Sequence, residues 1–215
     1  MRQVLARLLP LLAVVLAAVA LPASAQLQLE EGKQFIRLKN PQPTETGAKI
    51  DVIEFFSYGC PHCAHLEPEL QRWFKNMPPD VQFRRVPVLF QPAWELLARD
   101  YYTLDGLGVE QKLSPDMFKA IHDQNVNLSK ANVFFEWAGK QGLDPKKVEE
   151  MYNSFAIVSK VNRAKQLAAA YKVEGVPYVV VDGKFATGSD KIGGHPNMPA
   201  AIDSLVAKAR AERKM

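Results

Sequence analysis

The chain has 215 residues, 47% of them hydrophobic and 23% charged, which is enough for one domain with a sizeable core. Lys and Arg number 27 against 23 acids, a formal net charge of +4, and the basic residues are scattered with no aromatic-basic cluster, which argues against nucleic acid as a partner. Only two cysteines occur, Cys60 and Cys63, and a bridge closing so short a loop would constrain the unfolded chain little, so they are not a structural staple.

Arg2 and Arg7 precede an apolar run, Leu8 to Leu21, broken only by Pro10 and ending in Ala23-Ser24-Ala25. A basic start, an apolar stretch short of the ~20 residues of a spanning helix, and a small-residue site predict a cleaved secretory signal over residues 1–25. The expected mature chain, 26–215, is a single domain of 190 residues; without Arg2 and Arg7 it keeps 25 basic residues against 23 acids, a net charge of +2. Such a signal on a small enzyme points to a bacterial periplasm. A short arm and an even charge balance point to a monomer.

Gln26 to Gly32 reads as a loose arm, and Gln34 to Leu38 as a short strand. The polar, Pro-containing stretch Asn40–Gly47 is a loop. Ile50 to Phe56 (IDVIEFF) is β-branched, aromatic and almost wholly apolar, the pattern of a strand buried on both faces and broken by Glu54. Pro61 opens a helix carrying Leu66, Leu70, Trp73 and Phe74 at helical spacing, to about Asn76. Val81 to Val88 is a second strand, which completes a strand–helix–strand unit. From Pro92 to about Lys172 the pattern is helical, with helices opening at Ser114-Pro115, Ser129, Asp144-Pro145 and about Ile157. Its flanking strands make this block an inserted helical subdomain. Tyr178 to Val181, Asp182-Gly183 and Lys184 to Thr187 form a hairpin signal. A last helix opens at Asn197 and Pro199, with Ile202, Leu205, Val206 and Ala209 on one stripe.

Cys60-Pro61-His62-Cys63 stands at the strand-to-helix junction. Unpaired N–H groups of a first helical turn stabilise a thiolate, and the thiolate is the nucleophile of disulfide exchange. Cys60 is therefore the expected attacking sulfur and Cys63 the more buried, resolving one. His62 can donate a hydrogen bond or lend positive charge, which lowers the Cys60 pKa and favours the reduced form. A dithiol whose reduced form is favoured gives its disulfide away. Zinc is the weaker alternative, because His62 and His65 are near but no second ligand pair follows at matching spacing. His65 reads as a surface or helix-packing residue, and His122 and His195 as residues with no constellation around them. Glu54 is either outward at a strand end or buried beneath the site as a proton acceptor for Cys63; both its neighbours are apolar, so alternation leaves the two open.

Taken together, Ile53-Glu54-Phe55-Phe56-Ser57-Tyr58-Gly59-Cys60-Pro61-His62-Cys63, the helical block, Gly175-Val176-Pro177 and the Val-Asp-Gly-Lys hairpin closely resemble the DsbA family of periplasmic thiol–disulfide oxidases. That family is itself a standard example of a low-pKa, oxidising Cys-x-x-Cys, so this expectation is borrowed from it. The resemblance implies an α/β thioredoxin-like fold with an all-helical subdomain inserted over about 92–172. It implies that Pro177 is cis and packs on the Cys pair, that Val176 pairs through its backbone with an extended substrate, and that Glu54 is the buried acid. It sets Arg85 near the position of a Lys that accompanies this acid in some members. The implied substrates are newly exported, unfolded cysteine-containing polypeptides. The implied reoxidant is a DsbB-type, quinone-linked membrane partner, with no bound cofactor or metal. A disulfide isomerase or reductase of the same fold is the alternative, disfavoured by an arm too short for a dimerisation region.

Overall fold

The computed structural model describes residues 27–213, so the expected signal lies outside the described residues. The elements are β1 (Ile36–Arg37), β2 (Ile50–Phe56), α1 (Pro61–Phe74), β3 (Val81–Pro87), α2 (Pro92–Gly106), α3 (Glu110–His122), α4 (Ala131–Lys140), α5 (Pro145–Tyr152), α6 (Phe155–Ala170), β4 (Tyr178–Val181), β5 (Phe185–Gly188) and α7 (Met198–Arg213). Five strands form one sheet in the order β1-β5-β4-β2-β3; β2 and β3 run parallel and the other neighbours antiparallel.

Every residue of β2 is buried, because helices cover both faces of the sheet. On one face Ile50 and Val52 pack with Leu66 and Leu70 of α1 and Ile202, Leu205 and Val206 of α7. On the other, Ile53 and Phe55 pack with Ala164 of α6 and with Tyr171. A strand closed in on both sides needs no polar alternation, which is why the sequence around Glu54 shows none. The segment between β3 and β4 is wholly helical, and α6 returns from it to pack on β3. The α/β, thioredoxin-like architecture with a helical insertion is the one expected.

Several local expectations are corrected. The arm is not loose from Leu27 on: Leu27 and Leu29 pack on the core, and Ser204 Oγ donates to the Leu27 carbonyl at 2.9 Å. Only Ile36–Arg37 of the first expected strand is paired regularly. Ser114-Pro115 does not open a helix; both lie inside α3. Pro115 cannot donate back to Gln111, and the carbonyl so released accepts instead from Gln71 Nε2 of α1 at 3.3 Å. Ser129 does not cap α4, which begins after Lys130; its hydroxyl donates to Asn127 Oδ1 instead. The other expected starts hold more closely. Asp144 accepts from Lys146 N at 3.0 Å, and Ser154 caps α6 three residues before Ile157. Asp182 and Gly183 both take positive φ, 56° and 63°, and Lys184 N–H donates to the Val181 carbonyl at 3.0 Å; Val181 pairs with Phe185, so Lys184 belongs to the turn and not to the strand.

Candidate active site

β2 ends against the helical block, and the chain turns through Ser57–Gly59 into α1. The turn is fixed by Cys60 N–H donating to the Ser57 carbonyl at 3.0 Å. Gly59 has no room for a side chain, since a Cβ there would lie 2.5 Å from Trp94 Nε1. Cys60 is the N-cap of α1, with Pro61 in the first turn and the thiol of Cys63 one turn along. Both cysteines are free thiols.

The two sulfurs sit in opposite environments. The Cys63 thiol acts most strongly to favour a Cys60 thiolate, and the first-turn N–H groups of Cys63 and His62 and the His62 charge act in the same direction. Against the opposing effect of burial they pull its pKa down to about 6. Cys63 is pushed well above the ordinary thiol value, first by burial, then by giving its hydrogen bond to Cys60 and by the Glu54 carboxylate beneath it. Opposite the pair, the Val176–Pro177 peptide bond is cis, and the Cys60 thiol donates to the Val176 carbonyl at 3.5 Å. A groove of about 840 Å³ runs from His62 past Val176 and Pro177 to His195.

Of the two positions open to Glu54, the buried one holds. The residue is 1% exposed, on the sheet face that carries α1. Burial raises its pKa to about 7, although Arg85 pulls the other way. Arg85, also buried, ties four elements together. Its Nε donates to Glu54 Oε2 at 2.8 Å, and its Nη1 to Glu110 Oε1 at 3.0 Å and Ser114 Oγ at 2.7 Å; its Nη2 pairs with Glu67. Its guanidinium also lies 5.4 Å from the Phe56 ring centroid.

Sequence reasoning did not find Glu67 and Glu110. Glu67 sits one turn after Cys63 on α1, so helical spacing alone could have flagged it. Glu110 comes from a different part of the chain, and nothing local marks it. The readings of His122 and His195 as isolated are also corrected. His122 Nε2 lies 2.7 Å from the Tyr58 carbonyl, two residues before Cys60. The His195 ring stacks on His62 at 5.8 Å and 15°, with His65 at 6.0 Å. No group of three or more His, Cys, Asp or Glu able to hold a metal occurs among the described residues.

Residues 94–194 match the family model described as a DSBA-like thioredoxin domain. The thiol:disulfide interchange protein DsbA of Pseudomonas aeruginosa is 38% identical over 183 residues, 85% of this chain and 87% of its own. The DsbA of Burkholderia cepacia is 37% identical over 183 residues, 85% of this chain and 86% of its own. Among solved structures, Pseudomonas aeruginosa DsbA superposes with a TM-score of 0.81 at 38% identity, covering 86% of this chain and 96% of that one. The oxidoreductase NmDsbA1 from Neisseria meningitidis does so with a TM-score of 0.77 at 32% identity, covering 87% and 97%. A cysteine pair whose first thiol is made acidic and whose second is pushed the other way, on a fold and sequence shared along most of both chains, places this protein in the DsbA family of thiol:disulfide interchange oxidoreductases.

Proposed function

We propose that the protein is a disulfide donor of the bacterial periplasm, which passes its Cys60–Cys63 disulfide to newly exported, unfolded polypeptides. The observation that carries this reading is the opposite displacement of the two thiols. A pair in which Cys60 is held as a thiolate is stabilised when reduced, and so oxidises its partners.

In the first step a substrate thiolate attacks Cys60 Sγ. The Cys60–Cys63 bond breaks and a substrate–Cys60 disulfide forms. Cys63 leaves as a buried thiolate and takes a proton, for which the Glu54 carboxyl, titrating near 7, is suited as donor. A second substrate thiolate then attacks the substrate sulfur of the mixed disulfide, and Cys60 leaves as the stable thiolate. The substrate is oxidised by two electrons and the Cys pair is reduced. Reoxidation reverses these steps on the disulfide of a DsbB-type, quinone-linked membrane oxidase, with Glu54 accepting the Cys63 proton. No bound cofactor enters this scheme.

Pro61 and His62 shape the first turn around Cys60, and His62 adds positive charge beside the thiolate. Val176 and Pro177 form the wall of the groove nearest to Cys60, where an extended substrate strand would lie.

The test is the reduction potential measured together with the Cys60 titration. The expected result is a Cys60 pKa near 6 and an oxidising potential, with C60A abolishing oxidation of a reduced, unfolded substrate. A Cys60 that titrates like free cysteine, with a strongly reducing potential, would sink the proposal. Efficient refolding of a scrambled substrate by the reduced protein would move the reading to an isomerase.

A further inference from the structure

Three carboxylates meet one guanidinium beneath the Cys pair. Glu54 comes from β2, Glu67 from α1, and Glu110 from α3 across the boundary with the helical block. With all three ionised, the cluster would hold two net negative charges out of water, which is costly, so a proton belongs on it near neutral pH. The three acids are not equivalent. Their side chains are 1%, 4% and 13% exposed, so Glu110 is the member that reaches solvent. A cavity of about 340 Å³, lined by Arg85, Tyr101, Asp105 and Glu110, opens on that side.

Hydrogen bonds decide how the guanidinium is shared. Glu110 Oε1 accepts from both Arg85 Nη1 and the Tyr58 hydroxyl, each at 3.0 Å. Glu54 has a single hydrogen bond among the described residues, from Nε. We propose that Glu110 is a positioning residue for the Cys63 proton transfer: by engaging Arg85 from the helical block, it leaves Glu54 only a share of the positive charge and so free to gain and lose a proton.

The groups facing the cluster are Cys63 and Glu67 from α1, Arg85 from β3, Tyr101 and Asp105 from α2, and Tyr58 from the turn after β2. Arg85 is the only cation in direct contact with the three acids among the described residues, so removing one acid redistributes its charge to the other two. The Glu110 charge acts to raise the Glu54 pKa, so its loss must lower it.

The inference rests on the proposed role of Glu54, and the experiment separates the two. A mixed disulfide is formed between Cys60 and glutathione, and release of glutathione is followed against pH in a single turnover. In that step the Cys63 proton passes to Glu54, Cys63 Sγ bonds to Cys60 Sγ, and glutathione leaves as a thiolate. E54Q is expected to abolish the midpoint near 7. E110Q is expected to move it down by about one pH unit, with the reduced enzyme's Cys60 titration unmoved. E110D, which keeps the charge, is expected to restore the midpoint. Should E110Q fail to fold, E110A is expected to move the midpoint in the same direction. An unmoved midpoint in E110Q or E110A, alongside its loss in E54Q, overturns the role of Glu110. A midpoint that survives in E54Q overturns the role of Glu54, and that of Glu110 with it.

Discussion

Two identical side chains three residues apart are driven in opposite directions because one caps a helix and the other lies inside it. Cys60 gains first from the Cys63 thiol and then from the unpaired N–H groups of the first turn, while Cys63 has burial, its partner Cys60 and the Glu54 charge against it. His62 contributes to Cys60 in two ways, through its backbone N–H and through its ring charge. His62→Leu keeps the first and removes the second. We expect it to raise the Cys60 pKa from about 6 by less than about one unit, still below the ordinary 9.0, as measured by thiolate ultraviolet absorbance. The residues that act on the sulfurs through nearby chain were legible in the sequence: Cys60, Pro61, His62 and Cys63 fall in one run. Those that arrive from elsewhere were not. His195 reaches His62 only because the loop after β5 folds back over α1, and Glu110 reaches Arg85 only because α3 docks on α1. Neither close approach leaves a periodic trace in the sequence.

At the scale of elements, the strand–helix–strand unit and the hairpin were readable because their signals are local: a buried β-branched run, a Pro in a first turn, an Asp-Gly pair. Helix starts inside the helical block were read less well. Ser and Pro at 114–115 look like a cap, yet Ser114 spends its hydroxyl on Arg85, and Gln71 fills the gap left by Pro115. In α2 a further exception carries a stability consequence. Asp100 is buried with neither carboxylate oxygen hydrogen-bonded among the described residues, and burial pushes its pKa well above the ordinary carboxylate value. A group whose pKa is raised on folding favours the folded state fully below its unfolded value, near 3.8, and progressively loses that contribution as pH rises. D100N is therefore expected to stabilise the protein at pH 7, by about 1 kcal/mol or more, and to flatten the fall in stability above pH 4. Urea unfolding of both forms across that range checks it; a destabilised D100N at pH 7 would show that the carboxyl has a partner.

At the scale of the whole molecule, the chemistry of the site is also a term in folding. In the reduced protein Cys60 has a pKa near 6 when folded and near 9.0 when unfolded. A depressed pKa contributes stability that is complete above the unfolded value and is lost as pH falls through the folded one. The oxidised protein has no thiol to titrate and lacks this contribution. The shift corresponds to as much as about 4 kcal/mol at pH 9, and screening by the solvent that reaches Cys60 reduces it to about 2 kcal/mol. Cys63 acts in the opposite sense, but only where the unfolded thiol ionises, above about pH 8. The stability gap between reduced and oxidised forms is therefore expected to widen from pH 6 to about pH 8 in favour of the reduced form, and to have no upward slope below pH 5. Because oxidation and folding share one thermodynamic cycle, that gap tracks the potential of the pair: a form that is more stable reduced than oxidised hands its disulfide on. Thermal unfolding of both redox forms from pH 4 to pH 8 measures it. A gap that does not change over this range would mean that the Cys60 thiolate gains nothing from the fold, and the disulfide-donor reading would lose its physical basis.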